Sequence, residues 1–135
     1  MKSVLFAFAL LVAGGSAAAQ PRSAHLVPDA SYEALGEGPN WQLAIGQQVA
    51  LRLGRDEALG EDSMVVLQYF PRPRSRSADG VRRWESRTLG GATIAIEARR
   101  EPCTLGDTRY RDSVTVTTAE RRLTGCGGPR LSARP

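Results

Sequence analysis

From Tyr32 onward, apolar and polar residues alternate with period two. Trp41, Leu43 and Ile45 share one face while Asn40, Gln42 and Ala44 share the other. After Gly46-Gln47 the segment Val49, Leu51, Leu53 alternates with Ala50 and Arg52. A pleated strand sends successive side chains to opposite faces, so the pattern predicts two half-buried strands around a tight turn. Met64–Phe70 (MVVLQYF) is apolar on both faces, as a central strand would be. Trp84–Leu89 and Ala92–Ala98 flank Gly90-Gly91, a pair that tolerates the positive φ of a primed hairpin turn. Val114 and Val116 face one way and Thr115 and Thr117 the other, and Arg121–Cys126 returns as a last strand. No window holds an i, i+3, i+4 apolar stripe. The spacing therefore predicts an all-β fold: an antiparallel meander of seven to eight strands, closed into a small β-barrel or sandwich. Trp41, Leu43, Ile45, Val49, Leu51, Ile94, Ile96, Val114 and Val116 are expected to point inward together.

The ends of the chain break this rhythm. Lys2 precedes Val4–Ala13, an unbroken apolar run of ten residues, and small residues follow up to Ala17-Ala18-Ala19. That order predicts a secretory signal cleaved after Ala19. Ten residues span only about 15 Å as a helix, half of a bilayer core, so a membrane anchor is not expected. No Cys lies at the cleavage point to carry a lipid. Removal of 19 residues from 135 leaves 116, enough for one domain. The expected organisation is a signal peptide over 1–19, a flexible leader over 20–31, a β-barrel domain over 32–128 and a disordered tail over 129–135.

Export changes the reading of the cysteines. Cys103 and Cys126 are the only two in the chain, and in an oxidising compartment two cysteines are expected to pair. A bond closing that loop stabilises by about 3 kcal/mol on the chain-entropy model. Metal binding would need more ligands than two Cys and one distant His. The formal net charge is +4, of which Lys2 leaves with the signal. A surplus that small on an exported chain does not point to nucleic acid. The expected state is a monomer without cofactor or membrane anchor, its partner unidentified and either an envelope component or a protein.

Catalytic constellations are hard to assemble from these residues. A nucleophile needs a base in contact with it, and the single His, His25, sits in the leader. The acidic stretch Arg55–Asp62 holds four carboxylates in one polar run, which reads as a solvated loop rather than a pair held across a cleft. Pro71–Arg83 reads as a basic, proline-rich loop. Its Arg72, Arg74, Arg76, Arg82 and Arg83 are candidate contacts to an anionic surface, because guanidinium forks match phosphate and carboxylate geometry; a solvated loop that keeps a strand edge soluble is the competing explanation. Glu101–Asp112 reads as a loop pinned to the barrel rim by the disulfide. It contributes Asp107, Arg109 and Tyr110, which with Trp41 form a candidate ligand site. Two readings stand. Either Arg109 pairs with Asp107 or Asp112 while Tyr110 covers the barrel end, or the same groups form a rigid polar ligand site.

Two stretches carry a family resemblance: Tyr32-Glu33-Ala34-Leu35-Gly36-Glu37-Gly38-Pro39-Asn40-Trp41, and Pro102-Cys103-Thr104-Leu105-Gly106-Asp107-Thr108-Arg109-Tyr110 with Leu123-Thr124-Gly125-Cys126. They resemble the Y-x-A-x-G-x-E-P-F-W start and the P-C-S-D-G-M-S-D-R-x-Y…L-x-G-C finish of a group of small proteobacterial envelope proteins, META/HslJ-like and often lipoproteins. Trp41, Cys103, Arg109, Tyr110 and Cys126 match. Gly38 and Asn40 replace Glu and Phe, the segment after Cys103 is shortened, and no lipobox is present. The resemblance implies a β-barrel without established enzymatic activity, similar in form to periplasmic inhibitors of c-type lysozyme. The expected function is that of a periplasmic, non-enzymatic binding or envelope-maintenance module. The alternative is a lysozyme-inhibitor-like protein presenting a basic loop to an acidic cleft.

Overall fold

The alternation seen in the sequence becomes one antiparallel sheet. The computed structural model describes residues 26–54 and 65–132; the expected signal segment, His25 and the acidic stretch 55–62 lie outside them. The strands are β1 (Tyr32–Gly36), β2 (Trp41–Ile45), β3 (Val49–Leu53), β4 (Val66–Phe70), β5 (Arg74–Ala78), β6 (Val81–Arg87), β7 (Thr93–Arg99), β8 (Cys103–Leu105), β9 (Thr108–Thr118) and β10 (Arg122–Arg130). Their order across the sheet is β4-β3-β2-β1-β10-β9-β7-β6-β5, with β8 paired to β9. The sheet curls into a half-barrel, and its inner face closes over the core. All nine residues expected to point inward do so, in a single cluster with Tyr32, Phe70, Trp84 and Leu123.

The all-β antiparallel fold with one disulfide is as the sequence implies; the count rises to ten because two stretches read as loops are paired. Arg74–Ala78 forms β5, hairpinned to β6 through Asp79 (φ 54°) and Gly80 (φ 72°). Two consecutive positive φ values are the signature of a primed turn, which draws the flanking polar residues into register. Cys103–Leu105 likewise pairs with Thr108–Tyr110 around Gly106 (φ 59°), so Glu101–Asp112 is a hairpin rather than a loop. At Gly90-Gly91 the hairpin is as expected, although only Gly91 takes positive φ (88°).

One strand is not where its composition puts it. Met64–Phe70 reads as central, yet β4 is a terminal strand of the sheet, and only Phe70 of its five residues is buried. Composition reports the hydrophobicity of a strand; its place in the order depends on which neighbours it pairs with.

Both expected flexible ends contribute packing at their inner residues. Val27, with Leu26 and Ala30, covers Ala44 and Ala50 on the outer face of β2–β3. The Asp29 carboxylate accepts from the Gln47 backbone N–H at 3.0 Å. At the other end β10 runs to Arg130, which pairs with Tyr110, and Leu131 N–H donates to Arg109 O at 2.8 Å.

Candidate functional site

Strand parity sorts the arginines. Along the inner face one cross-strand row runs Ser75, Trp84, Ile96, Val116, Leu123. The neighbouring row, one residue away on every strand, is Arg74, Glu85, Ala95, Thr117, Arg122 on the outer face. Because side chains alternate with period two, the apolar positions of β6, β7, β9 and β10 fix the outward direction of their polar neighbours. Arg76, Arg83, Glu97 and Thr115 form the next outer row, and Arg87 stands across from Thr93.

These rows build a shallow trough with a floor of small residues. One stretch, about 710 Å³, is lined by Arg72, Arg74 and Arg87 beside Thr93, Ala95 and Thr117. A second, about 350 Å³, shares Glu85, Ala95 and Thr117 and is lined by Arg76, Arg83 and Arg122. Two carboxylates lie in it. Glu97 accepts from Arg83 at 3.1 Å and Arg99 at 2.9 Å, and the hydrogen bond from Arg83 above all holds its carboxyl below the ordinary glutamate range. Glu85 reaches Arg76 only at 4.0 Å. Among the described residues, Arg72, Arg74, Arg87 and Arg122 have no acidic partner at ion-pair distance. The trough thus presents these four guanidinium forks around a floor of small residues.

Arg82 parts from its neighbours. One step out of phase with Arg83, it lies with its guanidinium 4.6 Å from the Trp84 ring centroid. Trp84 packs in turn on Tyr32, with centroids 4.8 Å apart. The Tyr32 hydroxyl donates to Asp112 Oδ2 at 2.9 Å across 80 residues of sequence. Asp112, 3% exposed, is the single buried charge among the described residues. Arg111 holds it with two bonds, Nε to Oδ1 at 2.9 Å and Nη2 to Oδ2 at 3.0 Å. Burial first, and the Asp112 carboxylate second, push the Tyr32 phenol far above its ordinary range. The hydrogen bond to Asp112 likewise raises Arg111. With Arg82, Arg100 and the Asp79-Gly80 turn these groups line a recess of about 450 Å³ at one end of the half-barrel.

The other candidate ligand residues are dispersed. Trp41 is 2% exposed in the core, its indole N–H donating to Thr124 O at 3.2 Å. Tyr110 is buried on β9, opposite Cys103 on one side and Arg130 on the other. Asp107 is exposed in the β8–β9 turn, and Arg109 is exposed opposite Thr104. The partner of Asp112 is Arg111, not Arg109: Arg111 directly precedes Asp112 on β9, and its fork reaches both carboxylate oxygens. The Cys103–Cys126 disulfide forms with a Cα separation of 5.4 Å and ties β8 to β10.

Arg72, Arg74, Arg76 and Arg83 therefore share the outer trough as a group, joined by Arg87 and Arg122. Parity relative to Trp84 and Leu123 marks Arg87 and Arg122 as outward. No sequence signal links Tyr32 to Asp112, since only the β1–β10–β9 register brings them together. Among the described residues no group of three or more His, Cys, Asp and Glu is placed to hold a metal. Compared with known proteins, the chain matches no family model, no curated protein and no solved structure.

Proposed function

We propose that the mature chain is an exported, periplasmic and non-enzymatic binding module that engages an anionic envelope component through the arginine-lined outer face of β5, β6, β7, β9 and β10. The observation that carries this reading is that Arg72, Arg74, Arg87 and Arg122, which among the described residues have no acidic partner at ion-pair distance, stand around a floor of Thr93, Ala95 and Thr117. Arginine forks pair two N–H donors with two oxygens, so phosphate or carboxylate groups displayed on a polymer or lipid surface fit the trough. The disulfide supports export, since such bonds persist in oxidising compartments.

Binding of the purified protein to immobilised lipopolysaccharide and to isolated peptidoglycan tests the reading. Affinity should fall with added salt, because exposed charges are screened. The double substitution Arg74→Glu, Arg87→Glu should weaken binding by about tenfold or more, as like charges replace paired ones. Arg82→Ala, on the other face, should leave it unchanged. Equal binding by the double variant overturns the proposal.

A second reading rests on the β5–β6 hairpin, a basic edge hairpin whose β5 residues are all exposed. Such an element suits the acidic cleft of a c-type lysozyme. Stoichiometric inhibition of lysozyme that Arg74→Glu, Arg76→Glu abolishes would favour an inhibitor over an envelope-binding module.

A further inference from the structure

We propose that the recess beside Asp112, at one end of the half-barrel, is a second binding site, which holds the carboxylate of a small soluble acid between Arg82 and Arg100 with Arg111 fixed alongside.

The inner face is apolar along three strands and turns to charge at the same end of each. On β6 the inward track passes from Trp84 to Arg82, on β7 from Ile96 and Ala98 to Arg100, and on β9 from Val116 and Val114 to Asp112. The register brings these ends together, with Arg82 opposite Ala98 and Ala98 opposite Val114. Arg100 follows one step beyond β7, and its backbone N–H donates to Gly80 O at 3.0 Å. Arg82 and Arg100 are thus diagonal neighbours across the pair. Such positions lie about 7–8 Å apart, within reach of long side chains. Both line the recess of about 450 Å³, and the mouth of a curled sheet is a common place for a small-molecule site.

The back of the recess is rigid. Asp112 is buried there, and its carboxylate accepts from Tyr32 and twice from Arg111. Two glycines make room for this cluster. A Cβ at Gly127 would lie 2.7 Å from the Tyr32 hydroxyl, and one at Gly128 would lie 2.6 Å from Asp112 Oδ2. Replacing a buried ion pair by apolar residues is often neutral or stabilising, so a core does not require one. What the pair does here is hold the Arg111 fork in place, and a guanidinium has more N–H donors than those two bonds use.

The charges select the class of ligand. Arg111 and Asp112 offset each other. Among the described residues, Arg82 and Arg100 have no acidic partner at ion-pair distance. The other carboxylate lining the recess is Asp79, exposed in the β5–β6 turn. One positive charge is left over, which a monoanion neutralises and a dianion would overshoot beside two carboxylates. A carboxylate also offers two oxygens to a guanidinium fork. The body of the acid should be short and polar, because the apolar side chains behind the recess, Trp84 and Ala98, are buried and offer a lipid chain no surface. This site does not depend on the outer trough, since Arg82 lies on the opposite face of β6 from Arg83.

A titration of the isotope-labelled, disulfide-intact protein followed by NMR tests the proposal, with lactate, its uncharged isostere lactamide, and inorganic phosphate as probes. Lactate should give saturable shifts at the amides of Gly80, Arg82 and Arg100, and lactamide none. At pH about 8, where a phosphate is largely a dianion, phosphate should bind more weakly than lactate. Arg82→Ala and Arg100→Ala should each raise the lactate dissociation constant about tenfold or more, by removing one fork of the pair. Both side chains are exposed, so each variant should melt as the wild type does, and either suffices should the other fail to fold. Arg121→Ala removes the same charge from the β9–β10 turn, outside the recess, and should change the constant by no more than about twofold, as expected of a screened charge. Lactate shifts that do not saturate, or that lactamide reproduces, overturn the proposal. So does lactate binding insensitive to both recess variants, or phosphate binding tighter than lactate. Loss of peptidoglycan binding in Arg82→Ala, with Arg74→Glu, Arg87→Glu unaffected, also overturns it by assigning the recess to a polymer-borne carboxylate.

Discussion

The N-terminal strands β1 to β4 and the C-terminal strands β5 to β10 meet twice, and the two seams are built of different chemistry. At one, β1 pairs with β10, Ala34 opposite Gly127 and Leu35 opposite Cys126. Around that pairing, Trp41 donates to Thr124 O, Tyr32 to Asp112, and the disulfide fastens β8 to β10. Glycine makes the approach possible. A Cβ at Gly125 would overlap the Leu35 carbonyl oxygen and stand 2.7 Å from Trp41 Cζ2; one at Gly127 would lie 2.7 Å from the Tyr32 hydroxyl. At the other seam β4 and β5 are sequence neighbours and do not pair. Pro71 and Pro73 join them and supply no N–H to a ladder. The first seam buries its polar groups and satisfies them. The second leaves one apolar and one cationic edge facing solvent. Stability is concentrated where the halves close, and the unpaired edges lie where they do not.

Breaking the closed seam should have the largest effect. Gly125→Val places branched atoms where the Leu35 carbonyl and Trp41 ring already sit, and the expected loss exceeds about 4 kcal/mol, enough to abolish cooperative unfolding. Chemical denaturation read by tryptophan fluorescence checks this. Ser75→Val on the open edge serves as the comparison and should shift stability by no more than about 0.5 kcal/mol, as surface substitutions do. A Gly125→Val protein that melts like the wild type would show that the closed seam is not the stabilising one. Reduction of Cys103–Cys126 ranks next. It frees a loop of 23 residues' separation and should lower stability by about 3 kcal/mol, seen as a lower denaturant midpoint. Amide exchange should quicken in Cys103–Leu105, the short strand the bond holds. An unchanged midpoint would mean that packing alone keeps β8 and β10 together.

The closed seam was partly legible in the sequence and the open one hardly at all, for physical reasons. Period-two alternation identifies inward residues wherever a strand is apolar on one side, and Trp41 through Val116 follow it. Arg74–Ala78 (RSRSA) has no apolar position to alternate, so β5 is marked only by the Asp79-Gly80 turn beyond it. Strand β4 misleads in the opposite sense: its uniform apolarity suits a central strand, yet the sheet order puts it at an edge, which no local pattern encodes. The arginine trough depends on parity, and parity is set by Trp84. Arg83 and Arg82 are adjacent in sequence and face opposite ways. The Tyr32–Asp112–Arg111 cluster lies beyond any local pattern, since it exists only once β1 has found β10.

That cluster sets the smallest of the expected effects and the one with the clearest pH signature. Tyr32→Phe removes the hydroxyl that donates to Asp112, leaving the carboxylate with the two bonds from Arg111. Near neutral pH the loss of one donor to a buried acceptor should cost about 1–2 kcal/mol. The effect should shrink at high pH. In the unfolded chain the phenol ionises near its ordinary value of about 10, whereas in the native state burial, with Asp112 beside it, keeps the proton well above that. Below pH about 10 both states are protonated and the contribution is complete; above it the unfolded state gives up a proton that the native state retains, so stability falls as pH rises. The wild type should therefore lose stability above pH 10 more steeply than Tyr32→Phe, and the two curves of denaturant midpoint against pH should converge. Parallel curves across that range would show that the Tyr32 proton is not held by the fold, and that the hydrogen bond to Asp112 contributes little to the closed seam.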